Sequence, residues 1–172
     1  MAFIMSGSNV LSFAEYEDVL ACDQRLFEAN EGLTEVIVED AAVRITARIL
    51  NNIRASDWWK QYYIKNTASR AGVVVAGGIS VPALDTSKIK ARTSDFTDLC
   101  VYFTLSEILL PKVADFGNAD NAERQKIGFY DEKYRALFKD LIEAGDWYDI
   151  DASGTITDED KDPNRQNLVR RR

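Results

Sequence analysis

The segment DWYDIDASGTITDED, residues 146–160, is rich in side chains that offer oxygen ligands. Calcium takes six to eight oxygen ligands, and a tight loop with alternating polar residues can surround one such ion. The candidate ligands are the side chains of Asp149, Asp151, Ser153 and Asp160, together with the carbonyl oxygen of Thr155. The spacing therefore predicts a loop that binds a divalent cation.

This loop resembles the metal loop of the EF-hand family, with Gly154 at the turn and an apolar Ile156 two residues later. Asp160 departs from the family pattern, which has glutamate at the last ligand position. Because aspartate is one methylene shorter, its carboxylate reaches less far toward the ion. We therefore expect calcium, with magnesium as a competitor.

Two interpretations of the loop remain open. It is either a static calcium site that holds the end of the chain in place or a solvated acidic turn without metal. A paired calcium sensor is disfavoured because the sequence has no second loop, and EDKDPNRQNLVRRR is too polar, with Pro163 too early, for an exit helix. The glycine and the isoleucine favour the static site, since acidity alone does not explain them.

Composition limits the remaining functions. A chain of 172 residues, 46% of them hydrophobic, is long enough for one core and predicts one compact domain. A net charge of −7 argues against sequence-specific or general nucleic-acid binding, which needs a basic surface. The sequence has no histidine and no glycine-rich phosphate loop, so we expect no enzymatic activity.

Other features bear on location and redox state. Cys22 and Cys100 lie in apolar helical contexts, which predicts reduced core thiols rather than a disulfide. The N-terminus lacks the pattern of a signal peptide, and no apolar run reaches the roughly 18 residues of a membrane span. We therefore expect a soluble protein that is cytoplasmic or assembled from a cytoplasmic pool, with no membrane partner.

Helical patterns dominate the chain. Ser12 and Glu15 form a capping-box pattern that predicts a first helix from Ser12, with a break near Cys22. Thr34 is the predicted cap of a second helix, and Asp57 that of a short aromatic helix ending near Gly72. The second helix should bury one stripe, made of Val38, Ala41, Ala42, Ile45, Ile49 and Ile53.

The second half predicts two more long helices. One begins at Ser94 and should kink or end at Pro111; its predicted apolar face comprises Phe96, Leu99, Cys100, Phe103, Ile108 and Leu109. The other spans residues 122–144 and ends at Gly145, the position of a left-handed cap. Its predicted buried residues are Ile127, Tyr130, Tyr134, Leu137, Phe138 and Leu141.

Between the aromatic helix and the helix that begins at Ser94, the segment GVVVAGGISVPAL contains two β-prone runs around Gly77 and Gly78. We expect a β-hairpin or a protruding loop at about residues 72–92, with an irregular connector as the open alternative. The predicted fold is mainly α: a small helical bundle domain over residues 1–145, with this central feature. Residues 146–172 then form the EF-hand-like loop and an extended C-terminal arm.

The order of these features resembles a family of tailed-bacteriophage head-to-tail connectors, the adaptor or neck proteins that dock on the portal. The likeness is one of pattern and covers most of the chain between residues 12 and 156. It is carried by EVIVEDAAVRITARILNNIR, an aromatic segment, a protruding middle, TDLCVYFTLSEILLPKVAD and DEKYRALFKDLIEAGDWYDIDASGTI.

This resemblance implies a structural virion protein of the neck that forms a homo-oligomeric ring, binds the portal protein and links it to tail or neck proteins. Its C-terminal arm would reach a neighbouring subunit. In this sequence the arm offers a basic, non-periodic segment for partner binding, made of Leu168, Val169, Arg170, Arg171 and Arg172. A solubilising tail is the alternative for that segment. For the whole chain the alternatives are a calcium-binding regulatory or interaction protein and, less favoured, a small magnesium-dependent enzyme.

Overall fold

A computed structural model describes residues 3–7, 9–60, 83–118, 121–150 and 152–161 of the chain. The fold is mainly α, as predicted, and its helices form a small bundle. An antiparallel pair of short strands, β1 (Ile4–Ser6) and β2 (Asn9–Ser12), precedes the bundle. No helix of the described segments is both long and apolar enough to cross a membrane.

The first helix begins later than predicted. Ser12 belongs to β2, and its hydroxyl donates to the Ala14 carbonyl at 2.7 Å. Helix α1 (Tyr16–Cys22) begins instead with a capping box between Glu15 and Asp18. The predicted break near Cys22 is confirmed, because Asp23 caps a new helix, α2 (Gln24–Ala29).

Helix α3 (Glu35–Ala55) has Thr34 at its N-cap position, as predicted, although the Thr34 side chain makes no capping hydrogen bond. All six residues of the predicted stripe are buried. The following helix, α4 (residues 57–60), is capped by Ser56, whose hydroxyl accepts the Trp59 N–H at 3.3 Å. Asp57 is therefore not the cap, and the predicted end of this helix near Gly72 lies outside the described residues.

Most of the predicted central hairpin, residues 72–82, also lies outside the described residues. Residues 83–92 are described and pack closely against the bundle: Leu84, Thr86 and Ile89 are buried, and Thr86–Lys88 form one turn of 3-10 helix. The Thr86 hydroxyl accepts the Val10 N–H at 3.1 Å, which connects this turn to β2. This part of the predicted loop therefore does not protrude.

Helix α5 (Thr93–Thr104) crosses the centre of the bundle and continues through a π-helical turn, Leu105–Leu109, into α6 (Leu110–Val113). The π turn precedes Pro111, where the sequence predicts a kink or an end. A wider turn accommodates a residue that has no N–H and would otherwise crowd the carbonyl four positions earlier. Of the predicted apolar face, Ile108 is only partly buried and the other five residues are buried.

Helix α7 (Ala122–Ala144) matches its predicted bounds, and Gly145 has the predicted left-handed conformation, with φ of 59°. Tyr130, Tyr134 and Leu141 are buried, but Ile127, Leu137 and Phe138 are only partly buried at the margin of the core. A last short helix, α8 (Asp158–Lys161), follows the acidic loop. Both cysteines are free, as predicted; Cys100 is buried, whereas Cys22 is exposed and is not a core thiol.

Candidate functional site at the C-terminal loop

The C-terminal loop begins with an aromatic anchor. After Gly145 reverses the chain, the side chain of Trp147 is fully buried, and its indole N–H donates to the Leu141 carbonyl at 2.8 Å. Its ring lies 5.1 Å from that of Phe96 and 5.0 Å from that of Trp58. The start of the loop is therefore part of the core of the bundle.

The next residues pair with the segment that leads into α5. Ile89 and Tyr148 form an antiparallel bridge, and the Asp149 N–H donates to the Lys88 carbonyl at 2.9 Å. The Lys88 ammonium in turn donates to the Ile150 carbonyl at 2.8 Å. These bonds hold the loop beside residues 88–90.

Arg92 connects three elements at the same end of the bundle. Its guanidinium is paired with Asp95 on α5, Asp140 on α7 and Asp146 at the start of the loop. Partial burial opposes its charge, but the three carboxylates outweigh that effect and raise the pKa of Arg92. Arg92 has φ of 55°, a left-handed conformation that is unfavourable for a side chain with a Cβ, so the ion pairs stabilise an otherwise strained residue.

Asp149, the first predicted ligand, is only 1% exposed. Its two carboxylate oxygens accept backbone hydrogen bonds from within the loop, from Ser153 at 3.1 Å and from Gly154 at 2.8 Å. Gly154 adopts φ of 86°, which few residues other than glycine adopt without strain. The glycine that suggested a metal loop thus brings its own amide to Asp149.

Asp160, the last predicted ligand, is 2% exposed. One of its oxygens accepts the Ile150 N–H at 3.0 Å, and the other accepts both the Thr157 N–H and the Thr157 hydroxyl at 2.7 Å. Thr157 lies just before α8, so the bond from its N–H to Asp160 is one half of a capping box, whereas its hydroxyl bonds to the same carboxylate instead of accepting the Asp160 N–H. The pattern T-D-E-D at residues 157–160 would have revealed this role, but our sequence interpretation assigned Asp160 to a metal.

The remaining predicted ligands are placed differently. The Ser153 hydroxyl donates to the Thr155 carbonyl at 3.0 Å, so these two groups contact each other on the exposed side of the loop. Asp151 lies outside the described residues. The five predicted partner-binding residues of the tail, 168–172, also lie outside them.

Oxygen donors of this kind suit calcium or magnesium chemically. Each oxygen of Asp149 and Asp160 already accepts a hydrogen bond, but an ionised carboxylate has about four acceptor sites, so a cation could be added to these bonds. Within the described part of the chain, no three acidic, cysteine or histidine side chains are close enough to hold a metal. Metal binding by this loop stays a prediction.

Sequence reasoning missed Lys88 and Arg92, which hold the loop from outside. Lys88 lies in a polar stretch with no local motif, and a left-handed arginine has no sequence signature. Comparisons with protein-family models, with curated proteins and with solved structures found no match.

Proposed function

We propose that this chain is a structural component of a tailed-bacteriophage neck, a head-to-tail connector that forms a ring on the portal and links it to the tail. The portal protein and tail or neck proteins would be its partners, and the virion neck its location. The proposal rests on the order of sequence features described above, together with the mainly helical bundle that they form.

One structural observation carries the proposal furthest: the chain is held against the bundle up to Lys161, seven residues before Leu168. Asp160 bonds back to Ile150, and a Cβ built on Gly145 would lie 2.5 Å from the Lys161 carbonyl oxygen. Lys161, the last described residue, therefore has a fixed position on the bundle. A connector arm needs such a fixed origin, because an arm that starts from a mobile segment loses more entropy on docking.

Charge is compatible with the same role. The net charge of −7 gives the body of the protein little attraction for phosphates, which suits a ring through which DNA must slide. The basic tail is the exception, and its arginines can form charge-assisted contacts with an acidic neighbour.

We include a bound calcium or magnesium ion in the proposal, as a second means of holding the loop. Its ligands would be Asp149, Asp151, Ser153, the Thr155 carbonyl and Asp160. No observation favours the alternative of a calcium-dependent regulatory protein, in which the metal would have to rearrange the fold.

The test is to mix the purified chain with portal rings encoded by the same genome and to examine the complexes by electron microscopy. We expect a ring of copies on one end of the portal. Deleting residues 168–172 should leave the melting temperature unchanged and weaken this docking, more strongly at low than at moderate salt, because salt screens the contacts of the arginines. Absence of portal binding by the intact chain at every salt concentration would contradict the proposed function.

A further inference from the structure

A small crevice of about 90 Å³ lies between α3 and residues 108–112, and it shares no residue with the C-terminal loop. Its apolar part includes the partly buried side chains of Ile37 and Ile108. Ile108 belongs to the π-helical turn, a backbone form that is frequent at functional sites. Val36, which precedes Ile37, is 67% exposed, more than any other large hydrophobic residue of the described segments. The crevice and its border thus present apolar groups to solvent.

Two cationic side chains line the same crevice. Arg44 comes from α3 and Lys112 from α6, and both residues are exposed. Within the described part of the chain, neither of them makes an ion pair. Glu107, the residue before Ile108, is paired with Arg48 instead, at 2.9 Å. The two cations of the crevice are therefore available to an incoming anion.

The charge of the crevice differs in sign from that of the whole chain. One carboxylate, that of Asp40, also lines the crevice, so two cations and one anion leave it with one net positive charge. The chain as a whole has a net charge of −7 and attracts cations at long range. Binding of an anion therefore has to come from the local arrangement of Arg44 and Lys112, whose groups form charge-assisted hydrogen bonds with carboxylates.

We infer that the crevice is a docking site for an acidic segment of another protein. The segment would place one aspartate or glutamate carboxylate against Arg44 and Lys112, and a neighbouring apolar side chain against Ile37 and Ile108. Charge complementarity selects an acidic segment. The apolar border selects a protein over a nucleic acid, since a phosphate gains nothing from contact with isoleucine.

Size selects a short segment over a folded copy of this chain. A stable contact between two folded proteins buries about 1,200–2,000 Å², whereas the crevice admits a single side chain. Short peptide segments bind in the latter way, with individual side chains as anchors in small pockets. The inference goes beyond the proposed function and does not rest on it, because its test uses no portal protein.

Two synthetic peptides test the inference on the full-length chain. Both form amphipathic helices with leucines on one face, and they differ only in carrying glutamates or lysines on the other. The crevice variant is Arg44→Gln with Lys112→Gln. The matched control is Arg25→Gln with Arg124→Gln, which removes two exposed arginines from other helices and gives the same net charge. Fluorescence polarisation at low salt would measure peptide binding, and circular dichroism melting would compare the folding of the variants.

We expect the wild type and the control to bind the glutamate peptide. The crevice variant should bind it on the order of tenfold more weakly, from about threefold for each exposed ion pair. Asp40→Asn should bind it more tightly, because that change removes a carboxylate that repels the peptide. The lysine peptide should bind the crevice variant and the control equally. A wild type that does not bind the glutamate peptide, or a crevice variant that binds it as well as the control does, would overturn the inference.

The position of the bound peptide provides a second measurement. Nuclear magnetic resonance should show shifts of the methyl signals of Val36, Ile37 and Ile108 on addition of the glutamate peptide. Deleting residues 168–172 should leave the binding unchanged; loss of binding would place the peptide on the arginines of the tail and overturn the inference. A short DNA duplex that shifts the same methyl signals at equal concentration would show a general anion site, which also overturns recognition of a protein segment.

Discussion

The hydrogen bonds of Asp160 give the sharpest test of how the C-terminal loop is held. The substitution Asp160→Ala removes one contact with Ile150 and two with Thr157. Hydrogen bonds to charged groups contribute about 1.5–3 kcal/mol each. Because Thr157 is only partly buried, its two groups can turn to water after truncation. We therefore take about 1 kcal/mol per bond and expect a total loss of about 3 kcal/mol.

For a protein of this size, such a loss lowers the melting temperature by roughly 6–12 °C. Circular dichroism melting and guanidinium unfolding would measure it, both in excess chelator so that divalent metal makes no contribution. The control is Asp158→Ala, which removes an exposed carboxylate from the same short helix and should cost less than about 0.5 kcal/mol. Equal stabilities for these two variants would refute the idea that Asp160 closes the loop.

Three further predictions concern metal, core and charge. Terbium should luminesce when bound beside the loop's buried tryptophan, and Asp149→Ala should abolish the signal; equal emission from both proteins would remove the metal site. Phe103→Ala should cost about 3–5 kcal/mol in guanidinium unfolding, because the ring is buried and stacked on a tyrosine 4.2 Å away; an unchanged midpoint would contradict its core position. Since desolvation, Asp95 and Asp18 raise the pKa of Asp98 in the folded state, its ionisation opposes folding, and stability present at low pH is lost as pH rises through that pKa. Asp98→Asn should therefore melt at a higher temperature than the wild type at pH 7, with a difference that vanishes in acid; a difference independent of pH would show that the charge is not responsible.

The sequence was most informative where local pattern and burial agree. The stripe on α3 and both ends of α7 follow from residue spacing and from a single glycine, and each matches the structure. The predicted start of the first helix at Ser12 is wrong because both Ser12 and Glu15 are followed by residues that can complete a helix cap. Tertiary contacts decide between them: the Thr46 hydroxyl accepts the Phe13 N–H at 3.1 Å and draws this segment away from the helix.

At the candidate site, the sequence indicated which residues matter but not which groups they contact. The sequence identified Asp149 and Asp160 as important, and both are among the few buried charged residues. It could not identify their partners, because a loop carboxylate can face a cation or backbone amides with the same spacing. Contacts from distant segments, such as that between Lys88 and Ile150, depend on how the bundle brings residues together and are not readable locally.

Gly145 has a further consequence for how this sequence can vary. Its left-handed φ ends α7, and the Lys161 carbonyl oxygen occupies the space where a side chain would begin. Alanine at this position would therefore strain the end of one helix and displace the last residue of another in a single step. A single substitution at Gly145 therefore changes the end of α7 and the position of Lys161 together. A variant that replaced this glycine would need further changes that move the Lys161 carbonyl and the Trp58 indole away from the new Cβ.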